Sequence, residues 1–577
     1  MAAPVLILGA GINGAALARE LVLNGASVIV VDKQDIAAGA TAYSSRLIHG
    51  GLRYLEYGDF KLVREALGER TRLLKLAPDF VRPLQLFIPV RNRFGGLLTS
   101  AKRFLGLKTG GAGKVEHRGL MTVRFGLWLY DRYAHDETLP KRSSMRSDDP
   151  RAVPVDQNKF GWLSAYYDAQ IVFPERFTLA LFADARKISA EKGTDFRVLT
   201  YHQASLSGRR VTIRSERDSG IAMEFEPSAI INATGSWVDL TLKSLGVKSK
   251  QLMGGTKGSH FVTSNAKLRE LLNGRAVYTE ANDGRPVFVL PFVNGTLVGT
   301  TDEHFEGDPA TAIATPRELE YLVEAVNEVF PDLRFTTNDI DMHYAGVRPL
   351  PHSDATTTAA VSRGHWLEPN PNAPLPMYSI VGGKLTTCRS LAEESAATIL
   401  KAIGLPVVAN SRERPINEEP DTSFDIRNVG EFYDKYKLSV LYHLNLRNLF
   451  GDAPTRSMLV ELFGHRATQD EQALRTEEGL TNTSGAPYPA HVPRLTGTMI
   501  PLAVARYLIQ NEWVTTLDDL VERRLMLLYH PNLRRECFEQ LADLLVEANL
   551  LHYEQKFTTL QAVIERLSSR FGKRVQP

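Results

Sequence analysis

The stretch that decides the fold is VLILGAGINGAALARELVLNGASVIVVD, residues 5–32. It begins with a short apolar run, which is typical of a buried parallel strand. Three glycines, Gly9, Gly11 and Gly14, then lead into a helical pattern that ends at a further glycine. A second apolar run closes with Asp32. Strand, glycine turn, helix and strand within about thirty residues predict a βαβ unit.

The glycine spacing predicts a dinucleotide site. The first glycine permits a tight turn, the second lets the backbone approach a pyrophosphate, and the third lets helix and strand pack closely. The helix N-terminus adds unpaired N–H groups and a positive dipole. Asp32 stands where a carboxylate can bind a ribose hydroxyl, which favours FAD or NAD over NADP. Glycine-ended strands in AIINATG (229–235) and SIVGGKLTT (379–387) favour FAD, although spacing alone leaves NAD open.

The composition is that of a soluble globular protein with several domains: 577 residues, 43% hydrophobic and 23% charged. A formal net charge of +2 argues against a nucleic-acid partner. Cys388 and Cys537 stand far apart and outside any metal or redox spacing, so we predict neither a disulfide framework nor a metal site. Because neither a secretory signal nor a membrane-spanning apolar run is evident, we expect a cytoplasmic protein.

Periodicity predicts the remaining elements. Strands are expected within 198–226, and a hairpin within 284–302 that turns at Asn294-Gly295. Helices are predicted at 171–190, 316–330, 430–450, 455–465, 499–512, 516–529 and 533–551.

A second stretch, AGATAYSSRLIHGGLRYLEYGDFKLVREALGER (38–70), combines paired glycines with histidine and arginine. It resembles the FAD-dependent glycerol-3-phosphate dehydrogenase family, the flavoprotein kind rather than the soluble NAD-dependent kind. The resemblance spans roughly residues 5–400 and is weaker beyond, where LDDLVERRL (517–525) is similar to the family's cap domain. Further motifs follow in the family's order: INATGSWVD (231–239), GTKGSHFV (255–262), VFVLPFVNGTLVGTTD (287–302), YAGVRPL (344–350) and SIVGGKLTTCRSLAEE (379–394).

The resemblance implies an α/β + α fold. Its parts are a discontinuous FAD-binding domain of Rossmann type, a substrate domain on an antiparallel sheet, and a C-terminal helical domain after a linker. The implied boundaries are 1–75, 155–240 and 345–405 for the FAD-binding domain, 76–154 and 241–344 for the substrate domain, 406–425 for the linker and 426–577 for the helical domain.

The resemblance also assigns cofactor contacts beyond the first glycine motif. Gly50 and Gly51 would let the backbone approach the isoalloxazine, and a helix beginning near Leu385 would place its positive end beside the reduced flavin. With Gly9, Gly11, Gly14 and Asp32, the expected FAD-binding residues are Ser44, Ser45, Gly50, Gly51, Thr234, Gly235, Gly383, Lys384, Leu385 and Thr386.

The implied reaction is oxidation of sn-glycerol 3-phosphate to dihydroxyacetone phosphate, with hydride transfer to FAD. The substrate is a dianion, and guanidinium groups suit its phosphate. Either His49 or His260 could serve as general base, and the sequence does not decide between them. The family's catalytic positions match His49, His260, Arg348 and Lys384, and its substrate positions match Arg53, Tyr54, Arg348 and Arg363.

Residues 91–125 depart from the family pattern, because they are longer than expected and strongly basic. A short amphipathic helix within 97–108 would suit the headgroup layer of a membrane. We therefore expect a cytoplasmic enzyme docked on the inner face of the cell membrane, which passes electrons to a membrane quinone. A homodimer is compatible with the sequence.

Three alternatives stay open. The first is a glycerol-3-phosphate oxidase that uses oxygen, which sequence alone barely separates from a dehydrogenase. The second is another FAD-dependent hydroxy-acid or amino-acid oxidoreductase, which would need a carboxylate clamp. The third is a flavin-bound protein without activity, against which the complete set of expected catalytic residues argues.

Overall fold

A computed structural model describes residues 3–57, 59–93, 119–134, 136, 138–217, 220–353, 364–416, 494–498, 500 and 502–577. The helical patterns predicted at 430–450 and 455–465, the amphipathic segment 97–108 and Arg363 lie outside these residues. The structure describes residues 406–416 of the expected linker. They lie against the βαβ unit of residues 5–32, where the Asn24 side-chain oxygen accepts the N–H groups of Val408 and Ala409.

A six-stranded sheet carries the predicted βαβ unit. Its strands are parallel except for the edge strand His365–Pro369. They are apolar because layers cover both faces of the sheet. In spatial order the strands are His365–Pro369, Met377–Gly382, Ala229–Asn232, Val5–Leu8, Val28–Asp32 and Phe196–Thr200.

Helices cover one face of this sheet, and a small antiparallel sheet with a short helix covers the other. The helical layer consists of Ile12–Leu23, Pro174–Lys192 and Cys388–Ala402. The other layer consists of the strands His202–Ser207, Arg210–Ser215 and Ile221–Phe225 with the helix Val238–Ser244. The expected Rossmann-type domain is thus confirmed, and so are the strands predicted within 198–226.

The second large sheet has ten strands, and it is the sheet expected for the substrate domain. It is antiparallel apart from the pair Ala276–Glu280 with Val81–Val90. The predicted hairpin is present as Pro286–Phe292 and Gly295–Gly299. The other strands are Leu47–Ile48, Ser143–Arg146, Trp162–Ile171, Thr256–Thr263, Glu303–His304 and Met342–Arg348. Its helices are Phe60–Leu76, Leu120–Ala134, Ala266–Leu272 and Pro316–Val329.

The strand pairing bears on the expected domain boundaries, which stay a prediction. Trp162–Ile171 was assigned to the FAD-binding domain, yet it pairs along its whole length with Val81–Val90 of the second sheet. Met342–Arg348 likewise pairs with Thr256–Thr263. Both strands therefore belong to the second sheet by their pairing.

The C-terminal part is helical, as predicted. The pattern at 499–512 is the helix Leu502–Asn511, and the pattern at 533–551 is Arg535–Glu547. The pattern at 516–529 is not one helix, because Met526 adopts a left-handed conformation and separates a π-helical turn, Asp519–Arg524, from the turn Leu527–Tyr529. A last helix, Lys556–Phe571, had not been predicted.

The fully buried guanidinium of Arg46 joins these three parts. Its two terminal nitrogens bond both carboxylate oxygens of Glu175, at 3.0 and 2.6 Å. It also donates to the Tyr529 hydroxyl of the C-terminal part and lies over the ring of Phe292 in the second sheet. Arg46, one of the four arginines in the stretch 38–70, therefore has a structural role.

Glu175→Gln tests this joint. The change keeps the side-chain shape but leaves a buried guanidinium without its counter-charge, so we expect stability to fall by about 3–5 kcal/mol. Urea denaturation in excess FAD should show a clearly lower midpoint. Asp149→Asn, at the exposed pair with Arg151, serves as the matched control and should leave the midpoint nearly unchanged. Equal midpoints for the two variants would contradict the role of the joint.

Candidate active site

A cavity of about 820 Å³ lies between the two sheets. Its walls come from the glycine turn at 9–13, the ends of the neighbouring parallel strands, the stretch 43–54 and several strands of the second sheet. The carboxyl ends of parallel strands are where open α/β sheets bind ligands.

The glycine motif is built as its spacing predicts. Gly9 has φ +109°, and a side chain there would come within 2.6 Å of the Ala233 carbonyl oxygen. Gly14 faces the strand: its Cβ would lie 2.0 Å from the Gly9 oxygen, so it serves helix packing and does not line the cavity. Gly11 and Asn13 do line it, at the start of the helix Ile12–Leu23.

Asp32 ends its strand with both carboxylate oxygens engaged. They accept the N–H groups of Ala10 at 2.7 Å and Gln34 at 2.9 Å. Burial raises its pKa to about 6, an effect that these two backbone bonds oppose. Thr234 and Gly235 line the same end, and the Thr234 hydroxyl donates to Asn232.

These residues fit a dinucleotide such as FAD. The Oδ1 atom of Asn13 is buried and has no hydrogen-bond partner among the described residues. It lies where the helix N-terminus, Gly11 and Gly383 meet, so an added polar ligand would satisfy it. A Cβ on Gly383 would come within 2.4 Å of the Asn13 amide, which explains the glycine.

The turn after strand Met377–Gly382 differs from the expectation. The helix begins at Cys388, not near Leu385, because residues 385–387 form a separate turn. That turn brings Thr386 to the stretch 43–54, where its hydroxyl oxygen accepts the His49 N–H at 3.2 Å. Lys384 places its ammonium 4.2 Å from the centre of the Tyr54 ring. Lys384, Leu385 and Thr386 all line the cavity.

The paired glycines have different roles. Gly51, with φ +72°, lines the cavity, together with Ser44, Ser45 and His49. Gly50 does not: a side chain there would meet Leu67 at 2.5 Å, and its N–H donates to the Tyr130 hydroxyl at 2.8 Å. The packing of Leu67 and Tyr130 thus occupies one face of Gly50, and its approach to the isoalloxazine stays a prediction.

His260 lies on strand Thr256–Thr263 and lines the cavity. Its ring stacks on Tyr344 at 4.9 Å, and its Nε2 bonds the Ser45 hydroxyl at 2.9 Å. Burial holds the pKa of His260 well below its usual range, and the positive charge of Arg348 adds to this effect. The imidazole is therefore neutral near pH 7.

Arg348 ends the strand Met342–Arg348 inside the same cavity. Its guanidinium donates to the Asp302 carboxylate at 2.9 Å and to the Thr300 hydroxyl at 2.9 Å. Arg285, which the sequence analysis missed, also lines the cavity and donates to the Asp302 backbone carbonyl at 2.8 Å. Its only sequence signal is a place directly after an Asp-Gly turn, before a strand.

Other expected residues have different outcomes. Tyr54 lines the cavity, in the short helical segment Leu52–Tyr57. The side chain of Arg53 and the whole of Arg363 lie outside the described part of the chain. Arg46 was missed, although it lines the cavity.

Comparison with known proteins agrees with this geometry. Residues 4–369 match the family model described as FAD dependent oxidoreductase. A glycerol-3-phosphate dehydrogenase of Synechocystis sp. is 33% identical over 413 residues, which are 68% of this chain and 68% of the relative. An aerobic glycerol-3-phosphate dehydrogenase of Escherichia coli is 28% identical over 539 residues, 90% of this chain and 93% of the relative.

A solved structure extends the likeness to the C-terminal part. The glycerol-3-phosphate dehydrogenase of Bacillus halodurans, in complex with FAD, superposes with a TM-score of 0.67 at 20% identity, and the match covers 98% of this chain and 94% of that one. At this identity the match shows a shared fold. With the family model and the sequence relatives, the chain belongs to the FAD-dependent oxidoreductases and, among them, to the glycerol-3-phosphate dehydrogenase family.

Proposed function

We propose that this FAD-dependent enzyme oxidises the secondary alcohol of sn-glycerol 3-phosphate to dihydroxyacetone phosphate and passes the electrons to a membrane quinone. The observation that carries the proposal is a single cavity lined both by residues that suit a dinucleotide and by residues that suit the substrate. The glycine motif and Asp32 suit a dinucleotide, while His260, Arg348 and Lys384 supply a neutral base and two cations. When bound, FAD supplies the hydride acceptor for the reaction.

Arg348 is suited to the substrate phosphate. A guanidinium offers a planar fork of donors, and a dianion is recognised best by such charge-assisted bonds. Arg285 lines the same cavity and shares Asp302 as a partner, so a second guanidinium is at hand. Asp302 thereby fixes the orientation of the cation before the substrate arrives.

His260 is suited to take the proton of the substrate hydroxyl. A base must be unprotonated, and the depressed pKa of His260 meets that requirement near pH 7. The Ser45 hydroxyl orients the ring through Nε2. His49 lines the same cavity and stays the alternative base. Lys384, held over the Tyr54 ring, adds positive charge where an alkoxide would develop.

Anaerobic mixing with glycerol 3-phosphate tests the reaction. The flavin absorbance should bleach, and it should recover faster with a quinone than with air. Fast recovery in air would instead indicate an oxidase.

Arg348→Met should lower the second-order rate of bleaching at least about a hundredfold, because the phosphate loses a charged partner. Arg209→Met, at an exposed position away from the cavity, is the control. A flavin that does not bleach would refute the proposed substrate.

His260→Gln tests the neutral imidazole. An unfolded chain protonates His260 below about pH 6.5, whereas the folded protein does not, so acid destabilises the wild type through this group. The His260→Gln variant has no imidazole to protonate, so it lacks this acid-dependent loss of stability. Its stability relative to wild type should therefore rise by up to about 1.4 kcal/mol per pH unit as the pH falls below about 6.5. Urea titrations at several pH values measure it, and parallel pH profiles would contradict a neutral His260.

We further propose that the enzyme docks on the membrane through the helix Leu120–Ala134. This helix contains the end of the basic segment 91–125, most of which lies outside the described residues. Met121, Phe125 and Trp128 project from one face and are 43%, 52% and 46% exposed. No helix among the described residues could span a bilayer. An exposed aromatic face flanked by arginine suits the headgroup layer of anionic lipid.

Phe125→Ser with Trp128→Ser should weaken binding to vesicles of phosphatidylcholine and phosphatidylglycerol at least about tenfold, since large apolar side chains lose their burial in lipid. Co-sedimentation measures the bound fraction. Tyr553→Ser with Phe557→Ser removes rings of the C-terminal part that are even more exposed, 73% and 66%, and should leave binding unchanged. Equal losses in both double variants would argue against this docking face.

A further inference from the structure

The C-terminal segment Asp519–Tyr529 contacts the stretches that form the walls of the cofactor cavity. None of the described residues beyond 494 lines the cavity. Yet two stretches that do line it are bonded to this segment: the loop after strand Val28–Asp32, through Asp35, and the stretch around Arg46, through Tyr529. The segment thus contacts the walls of the site without contacting what the site holds.

The bond to Asp35 is a fork between fully enclosed groups. One oxygen of Asp35 accepts from Arg523 Nε at 2.6 Å and from Arg524 Nη1 at 2.7 Å, and the other accepts from Arg524 Nη2 at 2.8 Å. Arg524 also donates to the carbonyls of Glu512 and Trp513, at 2.8 and 3.1 Å. The C-terminal part therefore holds the Arg524 guanidinium in place independently of its bonds to Asp35.

From Asp35 the constraint continues to the cofactor residues. Gln34, its neighbour, donates its N–H to Asp32, and Ala37 donates its N–H to the Ala10 carbonyl at 3.1 Å. Ala37 has φ +60°, a left-handed conformation that is unfavourable for a residue with a side chain. A loop bent in this way keeps its shape only when other contacts hold it, and the Asp35 fork is such a contact.

We propose that Arg523 and Arg524 are positioning residues for FAD: by holding Asp35 they fix the loop that orients Asp32 and closes on the glycine turn. Without them the loop relaxes, Asp32 loses its place beside the ribose, and FAD binds more weakly. The C-terminal domain then affects the affinity for FAD through these contacts, although none of its described residues lines the cavity.

Arg524→Lys tests this, with Arg535→Lys as the matched control at an exposed pair in the same domain. Titration of the flavin-free proteins with FAD, followed by fluorescence, should show a dissociation constant raised at least about tenfold for Arg524→Lys and unchanged for the control. At saturating FAD the turnover of Arg524→Lys should return to within about twofold of wild type. A folded Arg524→Lys with wild-type FAD affinity would overturn the proposal.

Hydrogen exchange on the wild type gives an answer even if the variant does not fold. Because coupling is reciprocal, FAD added to the flavin-free protein should slow exchange in Asp519–Arg524, which it does not contact, roughly tenfold. Arg535–Glu547 should change little. Equal exchange of Asp519–Arg524 with and without FAD would overturn the proposal. The FAD titration and the hydrogen exchange need no substrate, unlike the turnover measurement, so these two readouts are independent of whether glycerol 3-phosphate is oxidised.

Discussion

The buried charge of Arg46 is the constraint on which the rest of the structure depends. A guanidinium removed from water is tolerated only when its charge is opposed and most of its donors are satisfied, as are those on both terminal nitrogens of Arg46. Here the partners come from distant parts of the chain: Glu175 begins a helix of the cofactor domain, and Tyr529 belongs to the C-terminal part. The three parts must therefore assemble around this one group, and Ser44 and Ser45, directly before it, take fixed places in the cavity wall.

Local rules were sufficient for the βαβ unit and for most of the predicted elements among the described residues. The glycine motif, Asp32 and the glycine turn at 382–383 depend on short-range geometry, so spacing predicted them. Resemblance supplied His260, Arg348 and Lys384, which do share one cavity. The errors were of another kind. The start of helix Cys388–Ala402 was placed too early because residues 385–387 form a turn of their own, and the packing of Leu67 and Tyr130 against Gly50 is not visible in the sequence around that glycine.

What sequence could not supply are contacts between residues far apart in the chain. Arg46 and Tyr529 are 483 positions apart, and Asp35 and Arg524 are 489 apart. An arginine that will be buried looks the same in sequence as one on the surface, since only the folded partner distinguishes them. Arg285 shows the same difficulty at a shorter range, because it bonds the backbone carbonyl of Asp302, which lies between the strands Gly295–Gly299 and Glu303–His304.

The helix Leu120–Ala134 connects the surface with the chemistry. Its buried face carries Tyr130, whose hydroxyl accepts the Gly50 N–H and donates to the buried carboxylate of Asp168. Its opposite face carries the exposed rings of Phe125 and Trp128. A helix with its side chains is about 10–12 Å across. Under the proposed docking, a lipid-dissolved acceptor at the exposed face would lie about one helix thickness from the backbone of the active-site stretch, so a docking surface at this place agrees with the proposal that the acceptor is a membrane quinone.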